Sequence, residues 1–220
     1  MNASVEKTGR IRVLGIDPAS AGPTGFGVVE SDGKKCRMLH YGAMQVPAKR
    51  QKEGPGAVLQ DIHVRVCELI EEFSPDAMAV ENIFSALNVR TALRLAEVRG
   101  VILLAAAQQN VVVYSYAPRE VKASVAGHGH ADKRQMQVMV RALLSLTEIP
   151  EPCDAADALA VALCHLQAEQ ARRRFNLPDS AALAKPRVLN TAAGSTRIAA
   201  SGAIAPNATP ARLARILSTR

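Results

Sequence analysis

Paired cysteines are missing from this 220-residue chain. Its four cysteines, Cys36, Cys67, Cys153 and Cys164, form no C-x-x-C motif, and neither they nor the five histidines fall at zinc-ligand spacing. That excludes a zinc ribbon and a disulfide framework and leaves four reduced thiols. No apolar run approaches the roughly 20 residues that span a bilayer, and Met1 to Arg10 lacks the apolar centre of a signal peptide. Neither membrane insertion nor secretion is therefore expected, and a cytoplasmic location is. Aromatics are scarce too, with no tryptophan and only seven phenylalanines and tyrosines.

The body of the chain also lacks the positive excess that its formal charge of +7 suggests. Residues 1–170 hold 18 Lys and Arg against 19 Asp and Glu, whereas residues 171–220 hold nine basic residues against Asp179 alone. The basic excess belongs to the tail, so any nucleic-acid contact of the body has to rest on local clusters. Composition and length fit one core with extensions: an unpatterned, disordered segment at residues 1–9, one domain at residues 10–170, and a basic, mostly disordered tail at residues 171–220.

What the chain does contain is a short stretch around which the rest is organised. Arg12 to Gly27 reads R-V-L-G-I-D-P-A-S-A-G-P-T-G-F-G, an apolar strand that delivers Asp17 at its end and then breaks into glycine and proline. An ionised carboxylate at the end of a buried strand is unfavourable unless it is paired or bound to metal. Alone, Asp17 also reads as a turn or helix cap. Thr24–Val29 and Arg37–Met44 complete a three-stranded meander, with Ser31-Asp32-Gly33 as a turn, and Pro47–Pro55 reads as a polar, basic loop. Helical spacing runs from Ala57 to Phe73. Asp76–Glu81 then repeats the opening pattern, an apolar strand ending on the acid Glu81.

Residues 82–90 form a connection with the apolar tip Ile83-Phe84. A helix at Thr91–Gln109 follows, with Gly100 in its interior, a position that costs about 1 kcal/mol relative to Ala and suggests another backbone packed closely there. A strand at Val111–Tyr116, a short helix from Pro118, a loop A-G-H-G-H-A at Ala126–Ala131, a helix at Asp132–Leu146 and a last helix from Asp154 complete the body. Hairpin strands followed by alternating helix and strand give a mixed sheet with helices on both faces, whose sites form beyond the strand ends.

Asp154 and Asp157 stand three apart at the start of the last helix and so share a face. They suit helix capping and the dipole of the first turn. The surrounding Ala155, Ala156, Ala158, Ala160 and Ala162 also make this helix thin enough to lie close on a sheet, where the two acids could join Asp17 and Glu81. Four packed carboxylates repel one another unless a cation sits between them. Oxygen ligands without His or Cys suit Mg²⁺ or Mn²⁺, and two such ions serve phosphodiester hydrolysis.

These residues carry a resemblance. G-I-D-P at Gly15–Pro18, T-G-F-G at Thr24–Gly27, V-E-N-I-F at Val80–Phe84, R-G-V at Arg99–Val101, Y-A-P-R-E-V-K at Tyr116–Lys122 and D-A-A-D-A-L-A at Asp154–Ala160 occur in the order seen in the RuvC family of bacterial Holliday junction resolvases, which this chain resembles from about Arg12 to Leu166. The resemblance implies a ribonuclease H-like α/β fold with a five-stranded mixed sheet and helices on both faces. It implies a homodimer that nicks a four-way DNA junction in pairs, leaving 5′-phosphates, and that works with the RuvA and RuvB branch-migration proteins. By position, Asp17, Glu81, Asp154 and Asp157 match the family's catalytic, metal-binding acids, holding two Mg²⁺ per subunit with Mn²⁺ able to substitute.

Lys122 and Lys133 match lysines that assist cleavage and hold phosphate, although each also reads as solvated surface charge. Phe84 matches an aromatic that stacks on a base near the crossover, and otherwise reads as a small core plug. His128 and His130 match no family ligand and suit a loop that meets DNA. The loop after Asp17 is one residue longer than the family's usual pattern, with Ala19 where Gly is preferred, and Leu87 stands where a basic residue is common. Two other classes are weighed. G-I-D-P with its following Thr also suits the phosphate loop of actin-like kinases and chaperone ATPases, but residues 90–220 offer no second copy of that element. A junction-binding protein that does not cut would not need all four acids.

Overall fold

The computed structural model describes residues 9–20, 22–82 and 88–178, and the backbone of residues 182–184. Phe84 and Leu87, like residues 1–8, lie outside the described residues. Strands β1 (Ile11–Asp17), β2 (Thr24–Ser31) and β3 (Cys36–Met44) form the expected meander. Helices α1 (Ala48–Lys52) and α2 (Pro55–Phe73) lead to β4 (Ala77–Glu81), and α3 (Val89–Gln108) leads to β5 (Val112–Tyr116). Then come α4 (Pro118–Ala126), α5 (Lys133–Leu143), α6 (Cys153–Phe175) and a short β6 (Ala182–Ala184).

The sheet order is β3-β2-β1-β4-β5-β6. β1 pairs antiparallel with β2 and parallel with β4, and β4 pairs parallel with β5. The carboxyl ends of β1, β4 and β5 therefore lie at one edge of the sheet. One core layer holds Leu14, Ile16, Met78 and Val80 against α2 and α3, while the other holds Val13, Ala77 and Ala79 against α4, α5 and α6. α6 lies between the sheet and α4/α5, which is why every residue from Ala155 to Leu166 except Asp157 is buried. A helix covered on both sides has no need of a polar face along that length.

Several boundaries differ from the sequence reading for local reasons. Within the polar Pro47–Pro55 segment a single helical turn forms instead of a loop, held by Arg50, whose guanidinium bonds Asp61 at 2.8 Å and Glu53 at 2.5 Å. α3 starts two residues early because Asn88 caps it, its side chain accepting from the Thr91 N–H at 2.9 Å. α6 continues to Phe175, past the expected start of the tail at residue 171, and residues 182–184 add an edge strand to the expected five. Among the described residues no backbone packs on Gly100: a Cβ there would meet nothing within 4 Å. Among the described residues no helix is long and apolar enough to cross a membrane.

Candidate active site

Strand alternation decides which side chains of β1 and β4 reach the site, because successive residues face opposite sides of a sheet. Leu14 and Ile16 face α2 and α3, so Val13 and Gly15 face α6, and Asp17 follows in that period at the strand end. β4 repeats the arrangement. Met78 and Val80 face α2 and α3, Ala77 and Ala79 face α6, and Glu81 comes next, one residue beyond the last β1–β4 pair, Ile16 with Val80. Both strand-end acids thus emerge on the side where α6 lies.

α6 brings the other two. Its backbone rests on the backbones of β1 and β2, an approach only glycine permits. A Cβ on Gly15 would lie 2.2 Å from the Ala158 carbonyl oxygen, and one on Gly25 would lie 1.9 Å from that of Asp154. The N-cap of α6 is Pro152, not Asp154, and no side chain caps the helix. Asp154 and Asp157 are therefore left to project from the first turns. One carboxylate oxygen from each of Asp17, Asp154 and Asp157 lies within 4.8 Å of the others. Glu81 ends the neighbouring parallel strand beside Asp17, close enough that its charge raises the Asp17 carboxyl.

Burial, then the charge of Glu81, then those of Asp157 and Asp154 hold the Asp17 carboxyl far above the usual carboxylate range. Glu81 is also raised, chiefly by burial, with Asp157 adding to the shift and Lys122 opposing it. Burial raises Asp157 as well, against the pull of Lys133 and Lys122. Carboxylates so placed are under strain for want of positive charge. The donors are all hard oxygens, and no cysteine or histidine belongs to the cluster, so the site fits a hard divalent cation.

Lys122 and Lys133 are both at hand. They line a cavity of about 200 Å³ with Glu81 and Asp157, over a floor that includes Val121 and Met136. Lys133 Nζ lies 3.4 Å from Asp157 Oδ2. Burial lowers the affinity of Lys133 for its proton, but Asp157, Cys153 and Asp154 together raise it above the ordinary value, so it remains a cation. The cavity therefore brings acidic and cationic side chains together, the combination that suits a phosphodiester with its counter-ions. His128 and His130 lie outside this cavity's lining.

Two features were not read from sequence. The glycines under α6 carry a signal, since Gly15, Gly25 and Gly27 precede an alanine-rich helix, but the register that stacks them appears only in three dimensions. Arg99, on α3, donates to the main-chain carbonyl of Glu81 at 3.2 Å and to Ser115 Oγ at 2.9 Å. It stands in the R-G-V motif, but the motif alone gives it no role, because its partner at the acid is a backbone atom.

Comparison with known proteins agrees with this geometry. The family described as Crossover junction endodeoxyribonuclease RuvC matches residues 13–165. The RuvC of Chloroflexus aggregans is 47% identical over 167 residues, covering 76% of this chain and 99% of the relative. That of Halothermothrix orenii is 42% identical over 163 residues, covering 74% and 96%. A solved structure of Thermus thermophilus RuvC with a Holliday junction substrate superimposes with a TM-score of 0.68 at 38% identity, covering 73% of this chain and 96% of that one. The ribonuclease H-like mixed sheet with helices on both faces is thus shared, and a kinase-type ATPase is set aside. With its whole core matched, from the strand that ends on Asp17 to the helix that carries Asp154 and Asp157, the chain belongs to the RuvC family of crossover junction endodeoxyribonucleases.

Proposed function

We propose that this junction endonuclease cuts at the cluster of Asp17, Glu81, Asp154 and Asp157, which holds two Mg²⁺ ions per subunit, with Mn²⁺ able to replace them. The observation that carries the reading is the meeting of Asp17, Asp154 and Asp157 within 4.8 Å, with Glu81 beside Asp17 and with burial, then neighbouring charge, raising Asp17, Glu81 and Asp157. Ions held there supply the charge neutralisation and water activation that phosphodiester hydrolysis needs. The chain's own residues do the rest. Asp17 and Glu81, both held above the usual carboxylate range, would release protons as the site loads. Lys122 and Lys133, in the same cavity as Glu81 and Asp157, hold the phosphate and offset the charge that develops on its oxygens. Val121 and Met136 keep bulk water from that floor. Phe84, three residues after Glu81, stacks on a base near the crossover.

The substrate is a four-way DNA junction, resolved by paired nicks that leave 5′-phosphates. Paired cuts need two sites, and α3 offers the surface for a homodimer. Val89, Leu93 and Leu104 are exposed along with Gly100, at spacings that put them on one face of the helix. The bare Gly100 lets a second helix approach closely. In the cytoplasm the dimer would act on junctions presented by RuvA and RuvB.

The test compares cleavage of an immobile four-way junction, a plain duplex and an RNA–DNA hybrid, with and without Mg²⁺. Metal-dependent, symmetric nicking of the junction alone is expected. Asp17→Asn, Glu81→Gln, Asp154→Asn and Asp157→Asn should each abolish cutting and leave junction binding intact. If any two of them cut at the wild-type rate, the site is misassigned.

A further inference from the structure

The peptide group that follows Glu81 is held at both ends. Its N–H, that of Asn82, donates to the Tyr116 carbonyl at 2.8 Å, one step past the Glu81–Tyr116 pair that ends the β4–β5 ladder. Its carbonyl, that of Glu81, points the opposite way, because this peptide bond is trans. On that side β1 offers no partner, since the β1–β4 pairing stops at Ile16 and Val80. Arg99 takes the place of the missing strand. It reaches from α3, on the sheet face opposite α6, to bond the Glu81 carbonyl with Nη1 and Ser115 Oγ with Nη2.

As a stabilising device this is a poor one. The guanidinium is half-buried, and its acceptors among the described residues, the Glu81 carbonyl and Ser115 Oγ, are neutral. A buried charge without a counter-charge adds little to stability. What the arrangement does provide is a fixed end to β4. With the following peptide clamped from β5 and from α3, the Glu81 Cα cannot rock, and its side chain keeps one direction toward Asp17.

We infer that Arg99 is a positioning residue that clamps the Glu81 carbonyl from the α3 side and so holds the Glu81 carboxylate in register with Asp17 for metal binding. The inference rests on the reading of Glu81 as a metal-holding acid. Arg99 acts through the backbone, as outer-shell partners of metal ligands do through side chains.

The experiment uses the full chain with Arg99→Met, which keeps the aliphatic stem and removes both donors, and Arg99→Lys, which keeps the charge and one donor group. Mn²⁺ binding to metal-free protein is measured by isothermal titration, and single-turnover cleavage of a four-way junction is followed across Mg²⁺ concentrations. Junction affinity in Ca²⁺ and Tm are measured alongside. In Arg99→Met, Mn²⁺ binding should weaken about tenfold and the Mg²⁺ midpoint rise to match, with junction affinity unchanged and Arg99→Lys falling between. Wild-type Mn²⁺ affinity and Mg²⁺ dependence in Arg99→Met overturn the inference, whether or not its Tm falls. Glu81→Gln, run in parallel, separates the two readings. If Glu81→Gln binds and cuts like wild type, the assignment of Glu81 fails. If Glu81→Gln loses both and Arg99→Met loses neither, only the role of Arg99 fails.

Discussion

The α-carbon of Gly25 lies directly beneath the main-chain carbonyl of Asp154, so close that a Cβ on it would sit 1.9 Å from that oxygen. The neighbour is helix backbone and cannot rotate away, so Gly25→Ala must lift the first turn of α6 off the sheet. The expected destabilisation is about 2–3 kcal/mol, and cleavage should fall far more than stability, because Asp154 and Asp157 leave with the turn. Gly56→Ala in α2 is the control: a Cβ there meets nothing within 4 Å, and alanine is the better helix former. Urea denaturation and junction cleavage of the two variants check both halves of the prediction.

Removing a catalytic acid should stabilise the metal-free protein. Asp17 is raised on folding, so the folded state holds a proton that the unfolded state gives up. Its contribution to stability is full below the unfolded value near 3.8 and is lost as pH rises through the folded value, which lies far higher. At pH 7–8 much of that loss has been incurred. Asp17→Asn should therefore gain about 1–2 kcal/mol, or roughly 2–8 °C in Tm, at pH 8 without metal. The gain should shrink at pH 4 and when Mg²⁺ stabilises the wild type. Thermal melts at the two pH values, with and without metal, read the difference.

Because the same acids must release protons to take up a cation, metal affinity should climb with pH through the neutral range. Titrations of Mn²⁺ into the metal-free protein at pH 6 and pH 8 should show tighter binding at the higher pH, with protons released to the buffer. Equal affinity at both values would mean that neither Asp17 nor Glu81 releases a proton when the cation binds.

Lys133 and Asp157 form an ion pair that is more than half exposed on the lysine side, and such pairs add at most about 1 kcal/mol to stability. Lys133→Met should leave Tm nearly unchanged. Its place in the cavity beside the acids predicts a different effect on turnover, a loss of roughly 10²-fold in single-turnover cleavage with little change in junction affinity. A drop confined to affinity would make Lys133 an ordinary phosphate contact.

The acids were legible in the sequence because each sits where a simple period predicts it: Asp17 and Glu81 at the ends of apolar strands, Asp154 and Asp157 one helical turn apart. The alternating sheet faces that turn both strand ends toward α6 follow from the same period. What could not be read was anything set by backbone contact across layers. The stacking of Gly25 under Asp154 depends on a register between β2 and α6, and Arg99 answers a carbonyl left to it because the β1–β4 pairing ends at Ile16 and Val80. The turn of α1 was hidden for a related reason. Its polar segment reads as loop until Arg50 finds Asp61 on the next helix.

The charge of the chain's end gives the last prediction. Residues 188–220 carry four arginines and no acid, and β6 ends before them at Ala184, so a chain cut after Arg187 keeps every described element. Each phosphate neutralised by an arginine releases counter-ions and steepens the fall of affinity with salt by about 0.9 in the log–log slope. If the four arginines engage DNA, the shortened protein should bind junction and duplex more weakly alike, and its slope should flatten by up to about 3–4. Its metal-dependent cutting rate at saturating junction should not change, since no group of the acidic site is lost. Fluorescence anisotropy from 50 to 200 mM salt measures the slope, and an unaltered slope would show that this segment leaves DNA untouched.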